Sequence, residues 1–361
     1  MKKIKNLFIL NLFLISALFA QENYSLSFDG VNDFVESQTL DLTSSPFTIE
    51  AWIKMPTVSF LNSTNIIDNY ETSPSTDKRW GVYVGGTDQT WTGKIYFREV
   101  YSTVRVDDNN WHHIAVVRDA SGTVNLFLDG NLNSSGSLPI NTDLNAGHTI
   151  KIGSGHNFFG QRFMECIISE LQVSLAAIYT SNFSPASNFA TNSSAVLHYN
   201  FNQGNGSILI DQSQTGNDGT INGASWSSDY ANNGCTNIYA SNYNENANYN
   251  VGCEFEQNSN SILYTVNPEG NTLTDYELLF DVPAQDEMSS DYSDILFVDS
   301  FNNVLSSYVS EYDENSAKIW VKLDTLFSGS SNSILCFYGE SSFSNPNDPF
   351  QVFTLYENFN N

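Results

Sequence analysis

The chain has 361 residues, too many for one small core and enough for two modules with connecting segments. A formal charge of −26 disfavours nucleic acid and anionic membrane surfaces as partners, because its field repels both. Only 15% of residues are charged, so Asn, Ser, Thr and Tyr carry most of the polarity, a mixture that suits exported β-proteins better than cytosolic helical ones.

Residues 1–20 place Lys2, Lys3 and Lys5 before an apolar run from Leu7 to about Leu18, with Ala20 ahead of Gln21. The pattern predicts a cleavable secretory signal, since the run falls short of the roughly 18–20 residues a spanning helix needs. Its removal shifts the formal charge from −26 to −29. The expected location is secreted or cell-surface, with no membrane insertion after cleavage, and no Cys follows the cleavage site to carry a lipid.

Residues 28–36, "FDGVNDFVE", concentrate Asp29, Asn32 and Asp33 between two apolar runs. Two readings stand side by side: side-chain-stabilised turns, or a turn that also holds a metal. From Tyr24 to about Ser228 period-two alternation dominates, in "FTIEAWIK", "RWGVYVGG", "GKIYFREV", "HHIAVVRD" and "TIKIGSG". Such runs are half-buried strands, and "RDASGTVNLFLDG" is a hairpin turning at Asp119-Ala120-Ser121-Gly122. Many short antiparallel strands without helices make a sandwich or jelly roll.

Sugar binding needs flat aromatic faces with a few polar groups beside them. Outside the alternating runs lie Tyr70, Trp91, Tyr101, Phe158 and Phe159, the candidate ligand contacts. Trp91 has an alternative as a loop ring folded back onto the sheet.

Of four Cys, only Cys235 and Cys253 flank one short polar loop, which in an oxidising compartment suggests a disulfide contributing on the order of 3 kcal/mol. Cys166 and Cys336 sit in apolar surroundings and read as buried free thiols. Between Cys235 and Cys253, Asn replaces most acids and Glu245 is the one carboxylate, so residues 233–255 read as a stapled linker rather than a calcium loop. Residues 260–345 alternate again and predict a second, smaller β-sandwich, followed by a tail at 346–361 that could open a further module.

The motif census argues against an enzyme. Glycoside hydrolysis needs two carboxylates about 5–9.5 Å apart, and no Glu-x-Asp-x-x-Glu run occurs; Glu50 and Glu170 each stand alone on their strands. There is no Gly-x-Ser-x-Gly and no His-Glu-x-x-His. His112 and His113 are adjacent in a strand, so they face opposite ways and cannot easily chelate one ion.

"LSFDGVNDFVE", "FTIEAWIK", "NNWHHIAVVRD", "VNLFLDG" and "IISELQVSLAAIYTSNFSP" resemble, in that order, the concanavalin A-like, laminin-G-type jelly-roll domains of secreted bacterial proteins, over residues 22–229. The Cys-bracketed linker is similar to repeats in exported proteins of the Bacteroidota. "YELLFDV", "DILFVDS", "AKIWVKL" and "SILCFYG" resemble a bacterial module of unknown function. The first resemblance implies calcium near the meeting of first and last strands, with Asp29, Asn32 and Glu170 as ligands.

The expectation is therefore an all-β chain, a concanavalin A-like jelly roll plus a smaller β-sandwich. Its expected work is non-catalytic recognition of polysaccharide or cell-surface glycan, with calcium shaping the loops. The alternatives are a structural or adhesive protein acting through surface proteins, and a binding arm of a longer glycan-degrading enzyme.

Overall fold

The computed structural model describes residues 23–353 except 44–45, 60–62, 70–77, 88–89, 146, 156–161, 237–239, 251–259, 268–272, 300–302, 327–331, 340–342 and 344–347. The predicted signal, Tyr70, Phe158, Phe159 and Cys253 lie outside the described residues, and the expected disulfide therefore does too.

The chain is almost entirely β. In the first sandwich one sheet runs, in spatial order, Asn131–Ser137, Thr123–Leu128, Trp111–Arg118, Phe47–Lys54, Glu165–Ser174, Ser25–Asp29 and Ser225–Ser227. Ala195–Tyr199 pairs with the second half of Glu165–Ser174. The facing sheet runs Ile208–Leu209, Gly219–Asn222, Phe34–Ser37, Ile150–Ile152, Thr64–Asp68, Gly81–Val84, Ile95–Phe97 and Val100–Tyr101. Neighbours within both sheets are antiparallel, so residues two apart share a face.

Alternation decides what each face does. Leu26, Phe28, Ile49, Ile53, Ile114, Val116, Ile168 and Leu171 from the first sheet meet Val35, Ile67, Val82, Val84, Ile95, Phe97 and Ile152 from the second in one buried core. The predicted hairpin forms as read: Asp119 accepts from the N–H groups of Ser121 (2.8 Å) and Thr123 (2.9 Å), and Gly122 takes φ 87°.

The first sheet's outer face is buried as well, because residues 175–192 fold across it. Trp52 donates from Nε1 to the Ala186 carbonyl (2.7 Å), and His113 sits edge-on among Trp52, Tyr179, Phe183 and Phe189. His112 points the other way, between Asp129 (2.8 Å) and Asp108 (3.1 Å), in keeping with the opposite-face expectation.

Past Ser227 the chain turns through an Asn-rich segment whose amides bond the main chain. Asn232 N–H donates to Asn248 (2.9 Å), Asn248 Nδ2 to the Tyr230 carbonyl (2.8 Å), Asn232 Nδ2 to the Asn246 carbonyl (2.9 Å), and Thr236 N–H to Asn250 (3.0 Å). An amide both donates and accepts, so these turns close on themselves. Tyr249 packs edge-on against Trp52 at 4.7 Å.

The second sandwich sets a four-stranded sheet (Asn260–Val266, Asn332–Tyr338, Ile295–Asp299, Val304–Leu305) against a three-stranded one (Leu273–Pro283, Ser316–Leu326, Ser307–Tyr312). Phe280, Val282, Ile319 and Val321 meet Ile295, Phe297, Ile334 and Cys336 in its core. Cys166 and Cys336 are buried free thiols, as expected. The tail forms one helical turn, Pro349–Val352, capped by Asp348, and Phe353 lies against Trp320 at 5.4 Å.

Candidate functional site

The outer face of the second sheet combines aromatic and charged side chains in two cross-strand rows. One row reads Glu36, Lys151 and Asp68 on three neighbouring strands. The other reads Asn65, Tyr83, Tyr96 and Tyr101 on four. The local cause is plain in "GVYV" and "KIYF": each Tyr stands between apolar residues that point into the core, so it must point out.

The tyrosines form a ladder. Tyr83 and Tyr96 stack with centroids 4.9 Å apart, and Tyr96 and Tyr101 with centroids 5.4 Å apart. Trp91, from the loop after Gly81–Val84, packs onto the ladder, 5.0 Å from Tyr101 and 6.0 Å from Tyr96. The Trp91 ring is thus both folded back onto the sheet and part of the aromatic cluster. Its Nε1 is buried without a hydrogen-bond partner.

Two glycines make room for this arrangement. A Cβ on Gly85 would stand 2.2 Å from the Trp91 carbonyl oxygen and 2.5 Å from its Cδ1, and one on Gly81 would stand 2.7 Å from the Tyr83 ring. No ordinary side chain fits either place.

All three phenols are held above the usual tyrosine range, burial being the largest cause, with Asp68 adding to it at Tyr83 and Glu99 at Tyr101. They stay neutral across the physiological range, hydroxyls able to donate and accept. Asn65 donates to Asp68 at 2.5 Å, fixing the polar end of the ladder. Stacked rings cover one another's faces, so the ladder offers edges and hydroxyls while Trp91 and Tyr101 close its end.

Of the expected aromatic contacts, the structure thus brings together Trp91 and Tyr101. Tyr83 and Tyr96 join them although neither was singled out, because both lie inside regular strands that read as core.

The expected metal ligands do not come together. Asp29 lies opposite Glu165 in the register, while Glu170 lies opposite Trp52, about 16 Å further along the strand at ~3.3 Å per residue. Asp29 Oδ1 accepts from the Val31 N–H (2.8 Å), and Asp33 accepts from the Asp29 N–H (2.9 Å), so residues 28–36 use their oxygens to hold turns. Glu170 is buried against His198 at 3.1 Å; burial pushes its carboxyl up, although His198 opposes this. Asp29, Asn32 and Glu170 therefore do not fit one calcium ion, and among the described residues no group of three His, Cys, Asp or Glu side chains could hold a metal.

Glu50 and Glu170 are diagonal neighbours across two adjacent strands, a closeness the sequence does not reveal. Each is 2% exposed beneath residues 175–192. Glu50 accepts from the Tyr179 hydroxyl (2.7 Å) and from Gln172 (3.5 Å) and faces His113 Nε2 at 3.4 Å. A carboxylate pair sealed in this way holds the covering segment.

Residues 29–180 match the model of the concanavalin A-like lectin/glucanases superfamily, and residues 291–361 that of a domain of unknown function. The first sandwich is a concanavalin A-like domain. No curated protein matches the chain. Among solved structures it is similar to a Bacteroides ovatus protein assigned to carbohydrate binding (18% identity, TM-score 0.42, 56% of this chain and 59% of that one). It is also similar to a heptameric pentraxin from Limulus polyphemus (18%, 0.32, 44% and 79%). A third is the CBM40 module of a Ruminococcus gnavus IT-sialidase bound to sialyllactose (13%, 0.27, 40% and 88%). The chain spans a little over half the length of the first, and none of these likenesses bears on what this concanavalin A-like domain binds.

Proposed function

We propose that the concanavalin A-like domain binds polysaccharide on the outer face of its second sheet, as a non-catalytic module of an exported or surface-held protein. The observation that carries this reading is the Tyr83–Tyr96–Tyr101 ladder with Trp91 packed against it. Neutral phenols one strand spacing apart offer sugar hydroxyls a line of partners, and Trp91 at the end of the ladder is the ring that would receive a sugar's C–H face. The burial of Glu50 and Glu170 supports binding without hydrolysis. Among the described residues no helix is long and apolar enough to cross a membrane. Export rests on residues 1–20, and calcium takes no part through Asp29, Asn32 and Glu170.

The test is retention of the full chain on immobilised polysaccharides, comparing the parent with Tyr96→Ala and Trp91→Ala. Unchanged retention in both variants, with folding intact, overturns the reading. Adhesion through protein contacts is the second reading. It draws on the second sandwich, where exposed Leu279 lies in one cross-strand row with Trp320 and Tyr308. Retention of a purified oligosaccharide separates the two.

A further inference from the structure

The outer face of the second sheet is not evenly open. Lys151 is 8% exposed, Asn65 6% and Asp68 0%, so the face is closed over Ile150–Ile152 and Thr64–Asp68. A short antiparallel pair, Ser154–Gly155 with Arg162–Phe163, lies against the start of the Asn65 strand. A Cβ on Gly155 would stand 2.5 Å from Asn65 Oδ1, Arg162 donates to the Ser63 carbonyl at 2.9 Å, and the Thr64 hydroxyl donates to the Arg162 carbonyl at 3.3 Å. Tyr83, Tyr96 and Tyr101, on the three strands beyond, are partly open, and the last of these strands is the sheet's edge.

Trp91 shuts a second side, at right angles to the first. Its Cδ1 would meet a Gly85 Cβ at 2.5 Å, just past the strand that carries Tyr83, and its ring reaches Tyr101 two strands away at 5.0 Å. The indole therefore lies across the strand ends, alongside the ladder. What remains is a corner floored by phenols, about 14 Å from the Asn65 strand to the edge strand at three strand spacings.

The corner decides how a glycan can enter. A chain laid across the sheet has no exit over Asn65, and one laid along the strands has none past Trp91. An internal sugar is linked at both ends and needs two exits in line, whereas a terminal sugar is linked once and needs one. A terminal ring also keeps a hydroxyl that an internal ring spends on its second linkage. The Tyr101 hydroxyl donates to Glu99 and keeps its acceptor positions for such a group.

We infer that this corner takes the terminal sugar of a polysaccharide, with the remainder of the chain leaving over Val100–Tyr101. Trp91 receives the C–H face of that ring, and the phenols meet its free hydroxyls. The inference rests on the reading of this face as a polysaccharide site and adds which part of the polymer it holds.

The test is calorimetric titration of the full chain with laminarin, xylan and arabinan, each intact and partly hydrolysed to short chains of known mean length. The expected result, for whichever polymer binds, is protein bound per unit mass rising in step with the number of chain ends, while the affinity per chain stays within about twofold. Tyr101→Ala should weaken binding to the short chains about threefold to tenfold, and Tyr101→Phe, which keeps the ring, should fold as the parent does and weaken it less. Protein bound per unit mass that does not change on shortening, or binding lost on shortening, shows recognition of chain interiors; either overturns the inference and leaves the polysaccharide site standing. Binding that counts chain ends but is weakened by neither variant places the terminal sugar elsewhere on the molecule and also overturns it. No binding to any of the three polymers, intact or shortened, removes the polysaccharide site and the inference with it.

Discussion

Tyr83 and Tyr96 stack across neighbouring strands with centroids 4.9 Å apart and planes 18° apart, on a face that the core does not use. Two aromatic rings placed outward at one level of a sheet contribute little to the core, so truncating one should separate binding from stability. Tyr96→Ala is expected to lose polysaccharide binding by about tenfold or more while the melting temperature falls by only a few degrees, a loss of about 1 kcal/mol. Parallel titration and thermal unfolding read the two effects. Equal loss of both would place the ladder among structural contacts.

Gly85 tests how closely the Trp91 loop must approach. The Cβ of Gly85→Ala would overlap the Trp91 main chain, whose carbonyl oxygen lies 2.2 Å from that position. The loop must lift, at a cost of about 1–3 kcal/mol. Tryptophan fluorescence should shift and binding should weaken together. A variant with unchanged fluorescence and affinity would show that the loop position is unimportant.

The predicted pH response centres on His112. Burial pulls its imidazolium down, but Asp129 and Asp108 outweigh this and raise its pKa to about 9. Between the unfolded value near 6.5 and about 9 the folded chain binds more proton than the unfolded one. The contribution is therefore complete below about pH 6.5 and lost as pH rises through about 9, amounting to up to about 3 kcal/mol. Asp129 also receives the Tyr249 hydroxyl, so the Asn-rich segment is coupled to the same site. Urea midpoints at pH 6 and about 9.5 should differ for the parent and converge for His112→Gln.

Chelation should leave both melting and binding by the ladder face unchanged, because Asp29 accepts the main-chain N–H groups of its own turn and Glu170 lies in another buried site. Thermal unfolding and titration with and without EDTA check this. A fall of several degrees on chelation would require an ion held by other groups.

Alternation made the two-sandwich fold legible, because each inward apolar residue marks a period-two run. The same rule pointed to Tyr83 and Tyr96, since "VYV" and "IYF" leave their centres outward, but neither stands out among the many strand aromatics. Register is a different matter. The family resemblance pairs Asp29 with Glu170, and the strand pairing separates them by a five-residue offset. Glu50 and Glu170, far apart in the chain, become neighbours for the same reason.

The Asn-rich segment between Tyr230 and Asn250 is held by amides bonded to main-chain groups. Amides neither titrate nor depend on a divalent ion in the way a cluster of carboxylates does. Where an acidic loop would soften in acid or come apart when its cation is withdrawn, this one keeps its internal fastening, and pH reaches it from outside, through the Tyr249 hydroxyl at Asp129.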